Sequence, residues 1–584
     1  MNRFTVSLSV IILAGLAVVG GQESSASAFF DRFAAEWMRR QPGQATATRY
    51  FSGAEQNALD RLLAPETDDF ARETVALARR GLKELAALDR ARMTDAERVS
   101  ADQMRWQLEV IVEGERFRDY DWSLDQFNGA NVRLPNLMTV VHPVRSEADA
   151  RTYIARLGEM DVRIAEATTR STVRASKGII PPAFILRSTV SQMRQFVAPA
   201  PRQNPLVGTF VDRMNAVPAL TATLKDQLTE EATSVVEREV YPAWRQGIAA
   251  LESQLPRATE DAGLWRFKDG AEAYAHNLKL YTTTNMTAAE IHRLGLSEVS
   301  RIEAEMDAVL RKLGRTSGTV KERITALERE MRYPETDEGR RQIMADIDVM
   351  IRDAEKRASL VFDVRPKTTV IAQPYPEFRW ASAAASYAPP PLDGSRPGIY
   401  QMPLRTDYMT RFGLRTLVYH ETVPGHHFQV ALSVENPSLP KFRQVRAFGG
   451  MSAASEGWAL YAERLVAEEG WYEGDPEGRL GQLNDELFRA RRLVVDTGLH
   501  AMRWTRQQAI DYGIDSSEVE RYVVYAGQAC SYKVGQLEII RLRDKARSAL
   551  GARFDTRQFH NVVLGAGVVP LSVLAAEVDA YIRR

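Results

Sequence analysis

The stretch Phe412-Gly413-Leu414-Arg415-Thr416-Leu417-Val418-Tyr419-His420-Glu421-Thr422-Val423-Pro424-Gly425-His426-His427 runs from an apolar helical pattern straight into a histidine cluster. Three of the chain's eight histidines fall between positions 420 and 427. In the zinc signature His-Glu-x-x-His, two histidines at i and i+4 share a helix face and the glutamate acts as base. Here position 424 is proline, and the next histidines are His426 and His427. On a straight helix i+6 turns well away from i, at about 100° per residue. Proline interrupts helical hydrogen bonding, and glycine reaches conformations closed to other residues. A Pro424-Gly425 bulge would bring His426 back towards His420. His427 returns to the same face at i+7 but lies about 10.5 Å along the axis. The reading takes His426 first and keeps His427 as the alternative.

A catalytic zinc commonly takes three protein ligands and leaves a fourth position open. It acidifies water and polarises a carbonyl, and a nearby carboxylate, here Glu421, takes the proton. The third ligand is expected from another helix. Ser452 to Glu463 reads as that helix, with Gly470 as its stop. Glu456 is taken as the ligand, because Gly457 beside it leaves room for a second backbone. Glu463, seven residues on, is kept as outer support.

Outward from this region the chain reads mainly as helix. Phe70, Val75, Leu77, Leu82, Leu85 and Leu88 have helical spacing over 70–89. Ser146 caps a helix over 147–170 with an acidic first turn. Thr287 and Glu290 form a capping box opening 286–313, and 316–360 reads as helix broken at Pro334. Residues 364–404 differ, being rich in Pro, Ala, Ser and aromatics. Thr368 to Ala372, Phe378-Arg379-Trp380 and Gly398 to Met402 are strand candidates around a turn at Leu392-Asp393-Gly394. The expectation is a small β-sheet near the metal site, with an edge open to an extended peptide.

The chain has 584 residues, 45% of them hydrophobic, 26% charged, with a formal net charge of +0. The charge balance gives no basic face for nucleic acid. Met1-Asn2-Arg3, an apolar run over 5–20 and Ala26-Ser27-Ala28 read as a signal peptide covering 1–28. That run is short for a membrane span, so no stable span is expected after signal removal, and the protein is expected in the periplasm or outside the cell. Residues 29–584 are expected to form one helical domain, with 29–285 and 286–584 as conceivable subdomains. The single cysteine, Cys530, excludes both an intrachain disulfide and a cysteine-built zinc site. It reads as a small buried side chain, and its position excludes lipid attachment after the apolar run.

The segments HETVPGHH, SEGWALYAE and YAGQACSYKVG, with GIIPP at 178–182 and LDGSRPGIY at 392–400, closely resemble the bacterial family known as domain of unknown function 885. That family is similar to the mostly helical gluzincin peptidases. The resemblance implies an α-rich fold with a deep cleft, zinc and peptide substrates. It suggests His420, His426 and Glu456 as ligands and Glu421 as base. The chain departs from the helical His-Glu-x-x-His by its inserted residues, and it has Ala526 where proline is expected before Gly527.

Peptidases of this type need a donor for a developing oxyanion. Tyr532 is the candidate, with Tyr522 and Tyr525 competing. Lys533 is the candidate holder of a substrate's C-terminal carboxylate. Asp496 and His500, at i and i+4, are read as a supporting catalytic pair. His142, His276, His292 and His560 read as structural. The expectation is therefore a zinc-dependent peptidase for short peptides. A metal-dependent hydrolase of an ester or other amide, and an inactive zinc-stabilised binding protein, are its rivals.

Overall fold

The computed structural model describes residues 24–584 except 376, 378, 379, 381–383 and 408. The fold is mainly helical, with one three-stranded sheet of order β1-β3-β2 among the described residues. Among these residues, no helix is long and apolar enough to cross a membrane. The first described helix, α1 (Ser25–Arg39), starts behind Ser24, whose side chain accepts from the Ser27 amide. Ala26-Ser27-Ala28 therefore lies in its first turn, with Ala26 buried.

The local signals explain most of the other helices. Thr67 caps Asp68–Ala86, which buries Val75, Leu77 and Leu85. Ser146 accepts from the Asp149 amide as expected, but the helix it opens is Glu147–Leu157. A second helix follows over Met160–Ser176, so the single helix read over 147–170 is two, parted around Gly158. The Thr287–Glu290 capping box opens α2 (Ala288–Lys312). Helices Val320–Glu330 and Asp337–Val361 flank the break that contains Pro334.

The sheet comprises β1 (Val370–Pro374), β2 (Ser386–Ala388) and β3 (Gly398–Met402). β1 runs parallel to β3, with Val370 opposite Gly398. β2 runs antiparallel to β3, with Tyr387 opposite Tyr400. Of the proposed strand Phe378-Arg379-Trp380, Phe378 and Arg379 lie outside the described residues. Trp380 sits in a turn, its indole N–H donating to the Tyr375 carbonyl at 2.7 Å. β2 carries no period-2 signal of its own, because its three residues are all half-buried.

Five further helices carry the site: α3 (Arg411–Glu421), α4 (His426–Glu435), α5 (Ser452–Glu468), α6 (Pro476–Ala501) and α7 (Ser531–Leu550). Their apolar cores cross the 285/286 line. Tyr274 and Leu278 pack with Trp458 and Leu493 in one buried cluster. Phe184 and Ala262 pack with Val495 and Val519 in another. Aromatic residues of α1 also meet Phe442 and Phe448.

Candidate metal centre

α3 ends at Glu421 and α4 resumes at His426, with Thr422-Val423-Pro424-Gly425 between them and a cis Val423-Pro424 peptide. The Gly425 amide donates to the Tyr419 carbonyl at 3.0 Å, and the Phe428 amide to the Thr422 carbonyl at 3.3 Å. Both bonds reach back six residues rather than four, so the chain loops out and rejoins a helical path. A Cβ on Gly425 would stand 2.0 Å from the His420 carbonyl oxygen, so this approach requires glycine. The Trp458 indole N–H on α5 donates to the Pro424 carbonyl at 2.9 Å, which ties the loop to the neighbouring helix.

That helix presents Glu456. One ligand atom from each of His420, His426 and Glu456 falls within 4.8 Å of the others. Glu456 Oε2 is 3.1 Å from His426 Nε2 and 3.5 Å from His420 Nε2, and the two imidazole planes stand at 87°. α5 reaches this position by crossing α7 at glycines. A Cβ on Gly457 would lie 2.5 Å from the Gly535 Cα, and a Cβ on Gly535 would lie 2.0 Å from the Ala453 carbonyl oxygen.

The electrostatics favour a cation here. Burial opposes charge on His420, but its hydrogen bonds to Glu456 and Glu463 outweigh burial and raise its pKa to about 10. Burial would raise the Glu456 pKa, yet His426 and His420 hold it well below the usual carboxylate range. Glu463 accepts from His420 Nδ1 at 2.6 Å, with Arg489 4.0 Å behind it. Glu421 is buried, and burial raises its pKa against the pull of His426 and His420. Its Oε2 has no hydrogen-bond partner. Such an orphan is costly unless something polar binds there.

His427 turns the other way. Its Nδ1 is 3.0 Å from the Tyr387 hydroxyl on β2 and its Nε2 is 3.0 Å from the Thr368 carbonyl. Both ring nitrogens are thus engaged by the sheet region, and burial lowers the pKa to about 4. His427 docks α4 on the sheet, whereas His426 faces Glu456.

A cavity of about 2130 Å³ opens over this cluster, and His420, Glu421, His426, Glu456 and Tyr532 line it. Tyr532 accepts from the Arg521 guanidinium at 3.3 Å, and Arg492 stacks over its ring at 4.4 Å. Its own hydroxyl proton remains available to an oxygen in the cavity. Tyr522 instead accepts from Arg492 at 3.0 Å within the core.

Two expected site residues fall elsewhere. Lys533 is fully buried, with its ammonium 2.7 Å from Glu486 and 2.8 Å from Glu298, so it is no carboxylate holder. Adjacent positions on a helix point about 100° apart, so with Tyr532 on the cavity wall Lys533 turns into the core. His500 is also buried, accepting from the Leu264 amide and donating to the Tyr522 carbonyl. Asp496 binds Tyr274 and the Gly527 amide, so the expected Asp496–His500 pair does not form and His500 is structural. Cys530 is buried as expected. The polar groups that sequence reasoning missed are Arg489, Arg492 and Arg521, together with Arg446 and Tyr387. Asp485–Arg489 at i,i+4 and Glu518–Arg521 at i,i+3, with contacts of 3.1 and 3.3 Å, left spacing signals.

The family model of a bacterial protein of unknown function, DUF885, matches residues 42–578. A "putative lipoprotein from Colwellia psychrerythraea" is 31% identical with a TM-score of 0.90, covering 96% of this chain and 98% of that one. A "putative lipoprotein of unknown function from Shewanella oneidensis" shares the fold at 20% identity and a TM-score of 0.68, covering 95% and 99% respectively. No curated protein matches.

Proposed function

We propose that this chain, which belongs to the DUF885 family of bacterial proteins of unknown function, is a zinc-dependent peptidase acting on short peptides. The observation that carries the reading is the closed set His420, His426 and Glu456 with the unsatisfied buried carboxylate of Glu421 on the same cavity wall. The donor set fits zinc: two imidazoles and a carboxylate converge, and His420 is locked through Nδ1 so that Nε2 faces Glu456. When bound there, zinc would polarise the scissile carbonyl and acidify water.

The protein's own groups then do the rest. Glu421 Oε2 takes a proton from the water whose oxygen attacks the carbonyl carbon. It holds that proton in a desolvated position and delivers it to the departing amine nitrogen as the C–N bond breaks. The Tyr532 hydroxyl donates to the oxygen that gains negative charge. The large cavity and the gluzincin resemblance favour peptides over folded proteins. The apolar leader, with two neighbours described as putative lipoproteins, supports a location outside the cytoplasm, in the periplasm or secreted.

The test is metal content and turnover of a mixed peptide pool, with matched ester and amide substrates alongside. We expect about one zinc per chain, lost in His420→Ala and His426→Ala and kept in His427→Ala. Glu421→Gln should keep the zinc and lose about 10²–10⁴-fold in rate. A folded wild type without metal, or a Glu421→Gln variant that cleaves as the wild type does, would overturn the peptidase reading.

A further inference from the structure

Arginines crowd the cavity, and nearly all are spoken for. Arg187, Arg405, Arg489, Arg491, Arg492 and Arg521 each form an ion pair at 3.3 Å or less. Two are not, Arg332 and Arg446; Arg332 is exposed, and Arg446 is different. It is partly buried, it lines the cavity, and among the described residues its guanidinium forms no hydrogen bond or ion pair. Burial lowers its pKa, against the pull of the Tyr387 hydroxyl and the Glu456 carboxylate, so it stands within electrostatic reach of a metal-site residue. A half-buried guanidinium without a counter-ion leaves its N–H donors open to an anion from the cavity.

Its backbone points to the same role. Arg446 has φ 54°, in the left-handed region that non-glycine residues avoid. The conformation is held from both sides. Its carbonyl accepts from the Gln44 side chain and from the Gly449 amide, each at 3.1 Å. Phe442 and Phe448 nearby are buried against α1. The guanidinium therefore stands on a fixed base, facing a cavity that contains a candidate hydrolytic site.

We propose that Arg446 anchors the free C-terminal carboxylate of a peptide, so that the site works inward from the C-terminal end. The inference rests on the peptidase reading and names its substrate class. A planar guanidinium matches a carboxylate through two parallel hydrogen bonds. Glu421 and Glu456 in the same cavity disfavour a more highly charged anion such as phosphate. A backbone carboxylate stands a fixed number of steps from the scissile bond, at about 3.3–3.6 Å per residue. A fixed anchor thus selects one cleavage position.

The experiment uses the full chain with the Glu421→Gln substitution and two N-acetyl tetrapeptide pools, identical except for a C-terminal carboxylate or carboxamide. Binding is read by calorimetry, with near-ultraviolet circular dichroism as the check on folding. We expect the acid pool to bind at least about tenfold more tightly. Adding Arg446→Ala should reduce that ratio to near one, and adding Arg446→Lys should keep part of it. If Arg446→Ala fails to fold, Arg446→Gln takes its place. Equal binding of the two pools, no binding of either, or a preference that survives the loss of Arg446 would each overturn the anchor. Wild-type turnover of the same pools separates the two readings. No cleavage together with an Arg446-dependent preference sinks the peptidase and leaves the anchor, whereas equal cleavage and equal binding do the reverse.

Discussion

Oε1 of Glu463 lies 2.6 Å from Nδ1 of His420, and that contact fixes which imidazole nitrogen is turned towards Glu456. Glu463 is wholly buried and does not itself join the ligand cluster. It is a positioning residue. Glu463→Gln keeps the shape and removes the charge, so metal affinity should fall about 10–100-fold. Competition against a graded chelator reads this directly, with the circular dichroism spectrum unchanged. An affinity equal to wild type would show that the contact does not tune the site.

The raised pKa of His420, about 10, makes metal uptake proton-linked. At neutral pH the ring carries a proton that a metal must displace, so affinity should rise with pH from neutrality towards 10. For the metal-free chain the sign runs the other way. The folded pKa lies above the unfolded value near 6.5, so the stabilisation is complete below that value and is lost as pH rises through about 10. Melting temperatures of the metal-free protein should therefore fall across that window more steeply than those of the zinc form. Calorimetry in buffers of different ionisation enthalpy should show proton release on zinc binding at pH 7.

Gly425 and Gly413 make a matched pair. A Cβ at 425 would stand 2.0 Å from the His420 carbonyl, whereas one at 413 meets nothing within 4 Å. Gly425→Ala should cost more than about 2 kcal/mol and reduce zinc content. Gly413→Ala, inside α3, should be neutral or stabilising by up to about 1 kcal/mol. Urea unfolding of both variants, with metal analysis, decides the matter, and equal effects would contradict the loop geometry.

Lys533 neutralises Glu298 and Glu486 in the core. Lys533→Met would leave Glu298 and Glu486 to Arg301 and Arg464 alone and should cost about 1–3 kcal/mol. Zinc content per folded molecule should not change. A variant of normal stability with a raised KM for peptides would return Lys533 to substrate binding.

Ser24 caps α1, its hydroxyl hydrogen-bonds to Glu97, and Ala26 is buried. Removal of residues 1–28 would strip the cap and the first turn from that helix. A processed chain should therefore keep Ser24, and intact mass would show it. A mature chain starting at Phe29 would contradict this.

The residues that make the centre were readable because zinc chemistry restricts donor types so strongly. His420, Glu421 and Glu456 stood out by type and spacing, and Pro424-Gly425 hinted at the loop that returns His426. What the sequence did not carry was direction. Lys533 and His500 are the right residue types for a site, but their helices turn them into the core. The helix over 147–170 is two because Ser146 and the acidic first turn mark only where it starts and say nothing of the break near Gly158. Arg446 was invisible, since nothing local marks an arginine that lacks a partner. Capping residues fared best, at Ser146 and Thr287, because a cap is satisfied within its own turn.

The aromatic seam between α1 and the loop around Arg446 joins segments some four hundred residues apart in the chain. Phe30 lies tilted against Phe442 at 5.6 Å and Trp37 meets Phe448 edge-on at 5.2 Å. Leu77, Ala78 and Leu108 cover part of the α1 stripe early in synthesis, whereas the side that faces Phe442 and Phe448 waits for a long-range closure, and such closures slow folding. A chain that stops before residue 442 leaves that side of the stripe uncovered. The loop that carries Arg446 is thus held in place by a helix made some four hundred residues earlier, so its set depends on the first described helix being docked.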